Sequence, residues 1–169
     1  MPQKFLTVVS GNFKEVEGLV TSAGAGDAGK LPALDAAGKL DTSVMPTGIG
    51  ADTKALTASE NLAAGDLVNV WNDTGTVKVR KADATSPSKR AHGFVLSSVS
   101  SAATATVYFE GTITGLSSLT LGATYFLGTT AGAATATATT TAGHIVQQVG
   151  VAISATELSF EPQQPVELA

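Results

Sequence analysis

Asp73-Thr74-Gly75 matches the triplet that carries the acid–base pair of aspartic proteases. That chemistry needs two aspartates sharing one proton across a dimer or a duplicated lobe. Here Asn72 precedes the triplet and strand-like residues flank it, so the spacing predicts an ordinary turn. Gly24, Gly26 and Gly29 satisfy the glycine spacing of dinucleotide-binding turns. That motif has meaning only between a strand and a helix. Pro32 follows and no helical pattern is readable, so a flexible linker is expected. His92 and His144 are the two histidines. Neither has a nucleophile, an acid partner or further ligands at a suitable spacing, and each adjoins a glycine, Gly93 or Gly143, where a strand begins. Both are expected at a surface or a sheet edge. Glu15 with Glu17, Asp35 with Asp41, and Asp66 with Asp73 are the carboxylates available for pairing. None lies in a context that predicts a cleft or a raised pKa, although a glycosidase pair is brought together by the fold rather than by spacing. Asn72-Asp73-Thr74 is a formal glycosylation sequon with no sign of a secretory route. The expectation is no catalytic, cofactor-binding or metal-binding residue, no cofactor and no enzyme.

The elements around these residues read as strands. Of 169 residues, 43% are apolar but only 5% aromatic, with Trp71 the single tryptophan. Alanine, valine, leucine, threonine, serine and glycine carry the composition, and small β-branched residues suit half-buried pleated strands. Charged residues make up 14%, against about 25% in an average globular domain. Either a Ser/Thr surface is polar without charge, or surface is buried against copies of the chain or a partner. The net charge is −4 and the basic residues are scattered, which argues against nucleic acid as a partner. With no cysteine, disulfides and cysteine-based zinc sites are excluded, and oligomerisation is one remaining source of stability. The Phe5–Val9 run is too short for a signal-peptide core. No 18-residue apolar run exists, so no membrane-spanning helix and no membrane partner are expected.

Residues 1–55 read as an extended N-terminal arm. Phe5–Val9 reads as a short strand, and 12–20 as a second strand or a turn. Beyond Thr21, Gly and Pro recur too often for regular structure. The scattered Leu31, Leu34, Leu40, Val44, Met45 and Ile49 cannot form a core of their own. Disorder would bring fewer apolar residues, so the arm is expected to dock on a neighbour. Residues 56–169 read as a small β-sandwich or barrel-like domain, because strand signals recur every 8–12 residues or so. Leu67–Trp71 and Val77–Arg80 make a hairpin around Asn72–Gly75, valines inward and charges outward. Further strands are expected at Gly93–Val99, Ala103–Phe109 with Thr112–Gly115 beside it, Tyr125–Leu127 paired with Ala133–Thr141, and His144–Ile153. A weak duplication relates 62–111 to 119–161. Leu62–Gly65, Gly93–Ser97 and Tyr108–Glu110 recur as Leu119–Gly122, Gly150–Ser154 and Ser159–Glu161. Lys78, Arg80 and Lys81, with Lys89 and Arg90, form either a solvated basic face or a surface for an acidic partner.

Three stretches carry a resemblance. Gly29 through Pro46 (GKLPALDAAGKLDTSVMP) looks like a linker of phage head and tail-fibre proteins. Leu121–Leu127 and Val149–Leu158 look like a β-repeat of phage fibre and capsid appendage proteins. Ala64-Gly65-Asp66-Leu67-Val68, the Lys81-Ala82-Asp83-Ala84 step and Ala91-His92-Gly93-Phe94-Val95 are similar to the capsid cement proteins of tailed phages. The resemblance implies a virion protein on the outer surface of the capsid. There it would form a homotrimer and cement neighbouring subunits of the major capsid protein, its partner. The alternative is a tail-fibre or tail-tip module that binds a host receptor or an adaptor. Under the first reading the capsid and oligomer contacts are expected at Phe5, Leu31, Leu34, Leu40, Val44, Met45, Ile49, Lys78 and Arg80.

Overall fold

The computed structural model describes residues 3–45 and 50–169. The fold is all-β, and it divides at Gly50/Ala51 into two compact units. Among the described residues the helical pieces are three-residue 3-10 turns, at Ala25–Asp27, Thr42–Val44 and Pro87–Lys89. No helix among them is long and apolar enough to cross a membrane.

In the first unit, β1 (Lys4–Val9) and β2 (Asn12–Glu17) pair antiparallel. Ser10 and Gly11 connect them at φ 52° and 81°. Two positive φ values in a two-residue loop match the right-handed twist of the strands. Leu19 then bridges Pro32 in parallel, with Leu19 N–H donating to Leu31 at 2.9 Å and Ala33 N–H to Leu19 at 2.8 Å. The segment read as an extended arm is therefore, over 3–45, a hairpin followed by bends rather than one extended run. Gly and Pro do keep 21–45 free of longer elements. Ile49 lies outside the described residues.

The second unit starts earlier than residue 56, because β3 (Thr53–Ala58) is its first strand. With β4 (Leu67–Asp73), β5 (Thr76–Lys81), β6 (Gly93–Phe94) and β7 (Thr104–Tyr108) it closes a barrel in the order β3-β5-β4-β6-β7. Closure comes from β3 alone. It pairs antiparallel with β7 from Thr53↔Tyr108 to Thr57↔Thr104, and parallel with β5 at Thr57↔Lys78 and Ala58↔Val79. A five-stranded sheet follows, built from β8 (Gly111–Ile113), β9 (Thr124–Leu127), β10 (Ala134–Thr135), β12 (Gln148–Ala152) and β13 (Leu158–Phe160), in the order β10-β9-β12-β13-β8. β11 (Ile145–Val146) pairs with β14 (Val166–Glu167) near the C-terminus.

β4 opens with three buried residues in a row, Leu67–Asn69, and β6 is buried throughout, whereas β7 alternates exposed threonines with buried Ala105 and Val107. Val68, Val79, Val95, Ala105 and Val107 fill the barrel. Their neighbours Leu67, Ala82 and Phe94 point the other way and join Ile113, Tyr125, Leu127, Ile145, Leu158 and Phe160 in a second core. Phe94 centres that core. Its ring stacks on Tyr108 at 5.4 Å and meets Phe160 edge-on at 5.3 Å, both favoured aromatic geometries.

Strand for strand, the two sets share one topology. β5-β4-β6-β7 in the barrel corresponds to β10-β9-β12-β13 in the open sheet. The registers agree as well: Val68 faces Gly93 as Tyr125 faces Gly150. Gly65 N–H donates to Val95 and Gly122 N–H to Ala152, each at 2.8 Å. Gly93 and Gly150 hold equivalent places for one reason. A Cβ on either would run into the carbonyl oxygen of the crossing strand, Tyr108 or Ser159.

Four strand expectations change. The strand expected over Gly93–Val99 contracts to Gly93–Phe94. The long strand over 144–153 is interrupted at Gln147. This buried amide accepts from Ala91 N–H at 2.8 Å and donates to the carbonyls of Ala91 (3.0 Å) and Gln163 (3.2 Å). A side chain that must satisfy those groups cannot follow the sheet alternation. The partner of β9 contracts to Ala134–Thr135. Thr112 and Ile113 pair with Ser159 and Leu158, not with 103–109, because Gly111 takes the chain across to the second sheet.

Candidate functional site

The first unit has almost no interior. Ala33 is its one buried apolar residue among those described, while Leu6, Val8 and Phe13 are 71%, 61% and 82% exposed. Strand pairing explains the pattern. In the β1–β2 register Leu6 faces Glu15 and Val8 faces Phe13, so these side chains share one face of the hairpin. Phe5 and Val16 face each other on the opposite side and are half-buried. An isolated two-stranded hairpin is marginally stable in water. This one is helped by the Lys4–Glu15 ion pair and by bonds from Gly18 N–H to Gln3 (2.8 Å) and from Leu19 N–H to Leu31.

Two concavities bring some of the expected contact residues together. One, of about 480 Å³, is lined by Lys4, Phe5, Gly18, Leu31, Pro32 and Ala33. The other, of about 360 Å³, is lined by Leu19, Asp27, Lys30, Pro32, Val44 and Met45 among others. Phe5 is thus grouped with Leu31, and Val44 with Met45. Leu34 and Leu40 are exposed and line neither. The second concavity is braced by carboxylates. Asp27 bonds Lys30 and the Ala23 amide at 2.6 Å each, which holds it below the usual carboxylate range, the Lys30 bond first. Asp41 caps the Thr42–Val44 turn through Ser43 and is lowered for that reason.

Lys78 and Arg80 project from the same side of β5, with Val79 buried between them. Their charges are already engaged. Lys78 Nζ pairs with Asp73 at 2.7 Å. Arg80 donates to Asn69 Oδ1 at 3.0 Å and to the Ser88 carbonyl at 2.9 Å, and lies 4.5 Å over the Trp71 ring. This is a half-buried structural network rather than an open basic patch. Val77, expected to point inward, is exposed beside the turn.

The motif residues make structural joints. Asp73-Thr74-Gly75 is the β4–β5 turn, with Thr74 and Gly75 at φ 50° and 90° and Asn72 Oδ1 accepting from Gly75 N–H at 2.8 Å. Gly24 to Gly29 lies in bends around a single 3-10 turn. Asp66 accepts from Ala63 N–H at 2.7 Å and pairs with Lys81 at 3.2 Å. The Lys81–Ala84 step stitches barrel to open sheet. Gly132 N–H donates to Ala82, Ala84 N–H to Gly128 and Ile145 N–H to Ala84, at 2.8, 2.8 and 2.9 Å. Burial alone would raise the Asp83 carboxyl, but Thr85 and Lys89 outweigh it and hold it low. His144 bonds Thr139 at 3.1 Å. Among the described residues no three His, Asp or Glu side chains gather as metal ligands would.

Neither a family model nor a curated protein matches this chain.

The sequence reading missed Leu6, Val8 and Phe13 as candidate contacts. Their signal lay in the Ser10-Gly11 turn. Once the hairpin register is drawn from it, the three fall on one exposed face.

Proposed function

We propose that the chain is a non-enzymatic virion protein that binds the outer surface of a tailed-phage capsid and cements neighbouring major capsid subunits as a homotrimer. The observation that supports this reading is the first unit, 3–45, most of whose large apolar side chains are exposed while the barrel and sheet of 51–169 hold their own cores. Contiguous exposed apolar groups on a surface mark sites of interaction. A protein that binds the assembled lattice alone stabilises it by mass action, and symmetric copies multiply weak contacts. The low charge content fits a surface largely covered by neighbours.

Deleting residues 1–50 tests the reading. The truncated chain is expected to stay folded, with its melting transition retained, and to lose capsid binding. Undiminished binding by the truncated protein would overturn it. Cryo-electron microscopy of the particle carrying the chain supplies the location. Density at regular positions over the head supports the proposal, and density confined to the tail replaces it with an appendage that binds a receptor or adaptor.

A further inference from the structure

The shared topology of barrel and open sheet exposes one difference. In the barrel, the outer edge of β5 is covered by β3 running parallel to it, and Ser59 N–H donates to the Val79 carbonyl at 2.8 Å. In the open sheet the strand equivalent to β5 is β10, which ends the sheet. The strand equivalent to β3 is β8, only three residues long, and it pairs with β13 alone. Val79 faces Val70 as Ala134 faces Leu127, so Ala134 holds the place of Val79.

The backbone of Ala134 points the same way as that of Val79. Gly128 N–H donates to the Ala133 carbonyl at 2.8 Å, which makes the adjoining pair the bonded one. In an antiparallel ladder the next pair, Leu127↔Ala134, then turns its N–H and C=O outward. Among the described residues no hydrogen bond reaches those two groups. A groove of about 470 Å³ lies beside them, lined by Ala134, Thr135, Thr137, Thr139 and Thr141 and by no charged side chain. Small, hydroxylated walls leave room for a backbone but supply no pocket for a large or charged side chain.

We propose that the β10 edge accepts an extended segment of a second polypeptide, added parallel to β10 with small side chains toward the groove, as β3 is added to β5. Main-chain bonds supply the affinity in strand addition, and the groove selects small side chains. The inference rests on the pairing within 51–169 and holds whether or not the chain belongs to a capsid.

The molecule provides its own probe, the segment Asp52–Glu60 that contains β3. Leu168 is bonded to Gly143 and His144 at 2.8 Å, so the C-terminal end lies beside the groove-lining residues. A second copy of Asp52–Glu60 fused after Ala169 through a flexible Gly/Ser linker therefore reaches β10 at high effective concentration. Ala136 holds the place of Lys81, whose N–H donates to Glu60 Oε1 at 3.0 Å, and its amide hydrogen exchange is expected to slow roughly tenfold relative to the same linker carrying the scrambled segment. Ala134→Pro is expected to cancel that slowing. It removes an outward N–H that makes no ladder bond, which an edge strand tolerates. Equal exchange with the native and scrambled segments, or protection that survives Ala134→Pro in a folded protein, would overturn the proposal.

Discussion

Nε of Arg90 lies 2.9 Å from Nε2 of His92. On the other side of the ring the Val70 amide donates to Nδ1 at 3.0 Å, with Asn69 Nδ2 at 3.3 Å. A neutral imidazole has one acceptor nitrogen and can satisfy one side, whereas a protonated ring satisfies neither. Burial first, and the Arg90 charge second, accordingly hold His92 below its ordinary 6.5. The unfolded chain then binds more protons than the native one as pH falls below 6.5, so stability is present above that value and is lost toward the folded pKa. Melting temperature is expected to drop between about pH 7 and about pH 5. His92→Gln keeps an acceptor without the titration and should flatten that slope. A slope unchanged in the variant would reject this origin.

Phe94 touches both Tyr108 and Phe160 and is fully buried. Phe94→Ala is expected to destabilise 51–169 by about 3–5 kcal/mol. Chemical denaturation of the variant measures it.

Gly93 and Gly150 leave no room for a methyl group. Alanine at either position forces apart the strand pair β6–β7 or β12–β13, at a cost of about 1–3 kcal/mol or more. Gly26→Ala, where the added carbon meets nothing, is the control and should fall within about 0.5 kcal/mol of the parent. Comparable losses at Gly26 and Gly150 would contradict the packing described.

Leu6→Thr with Phe13→Ser removes exposed apolar groups without touching either core. The melting temperature of 51–169 is expected to stay put, while binding of an apolar dye such as ANS falls. A substantial fall in stability would show that these side chains are buried in the protein alone.

The β character and the β4–β5 hairpin were legible because composition and turn chemistry act locally. Asn72–Gly75 forces a turn, and the alternation of Val79 with Lys78 and Arg80 sets a face. The engagement of Lys78 and Arg80 was not legible. Arg80 finds Trp71 and Asn69 on the facing strand and Ser88 in a turn eight residues further on, and Lys78 finds Asp73 at the far end of β4. The hydrophobic face of β1–β2 was hidden differently. Phe13 stands among Asn12, Lys14 and Glu15, and becomes part of an apolar face only through its register with Val8. The break at Gln147 follows from a bond to Ala91, 56 positions away, which no local pattern carries.

The placement of β3 has a mechanical meaning. It is the first strand after Gly50, and it is held from both sides, by β7 across five register pairs and by β5 across two. Tension applied along the axis of β3 acts perpendicular to the hydrogen bonds that hold it. Those bonds resist together in shear instead of peeling one after another, so the seam that closes the barrel is also a grip against pulling on the N-terminal side.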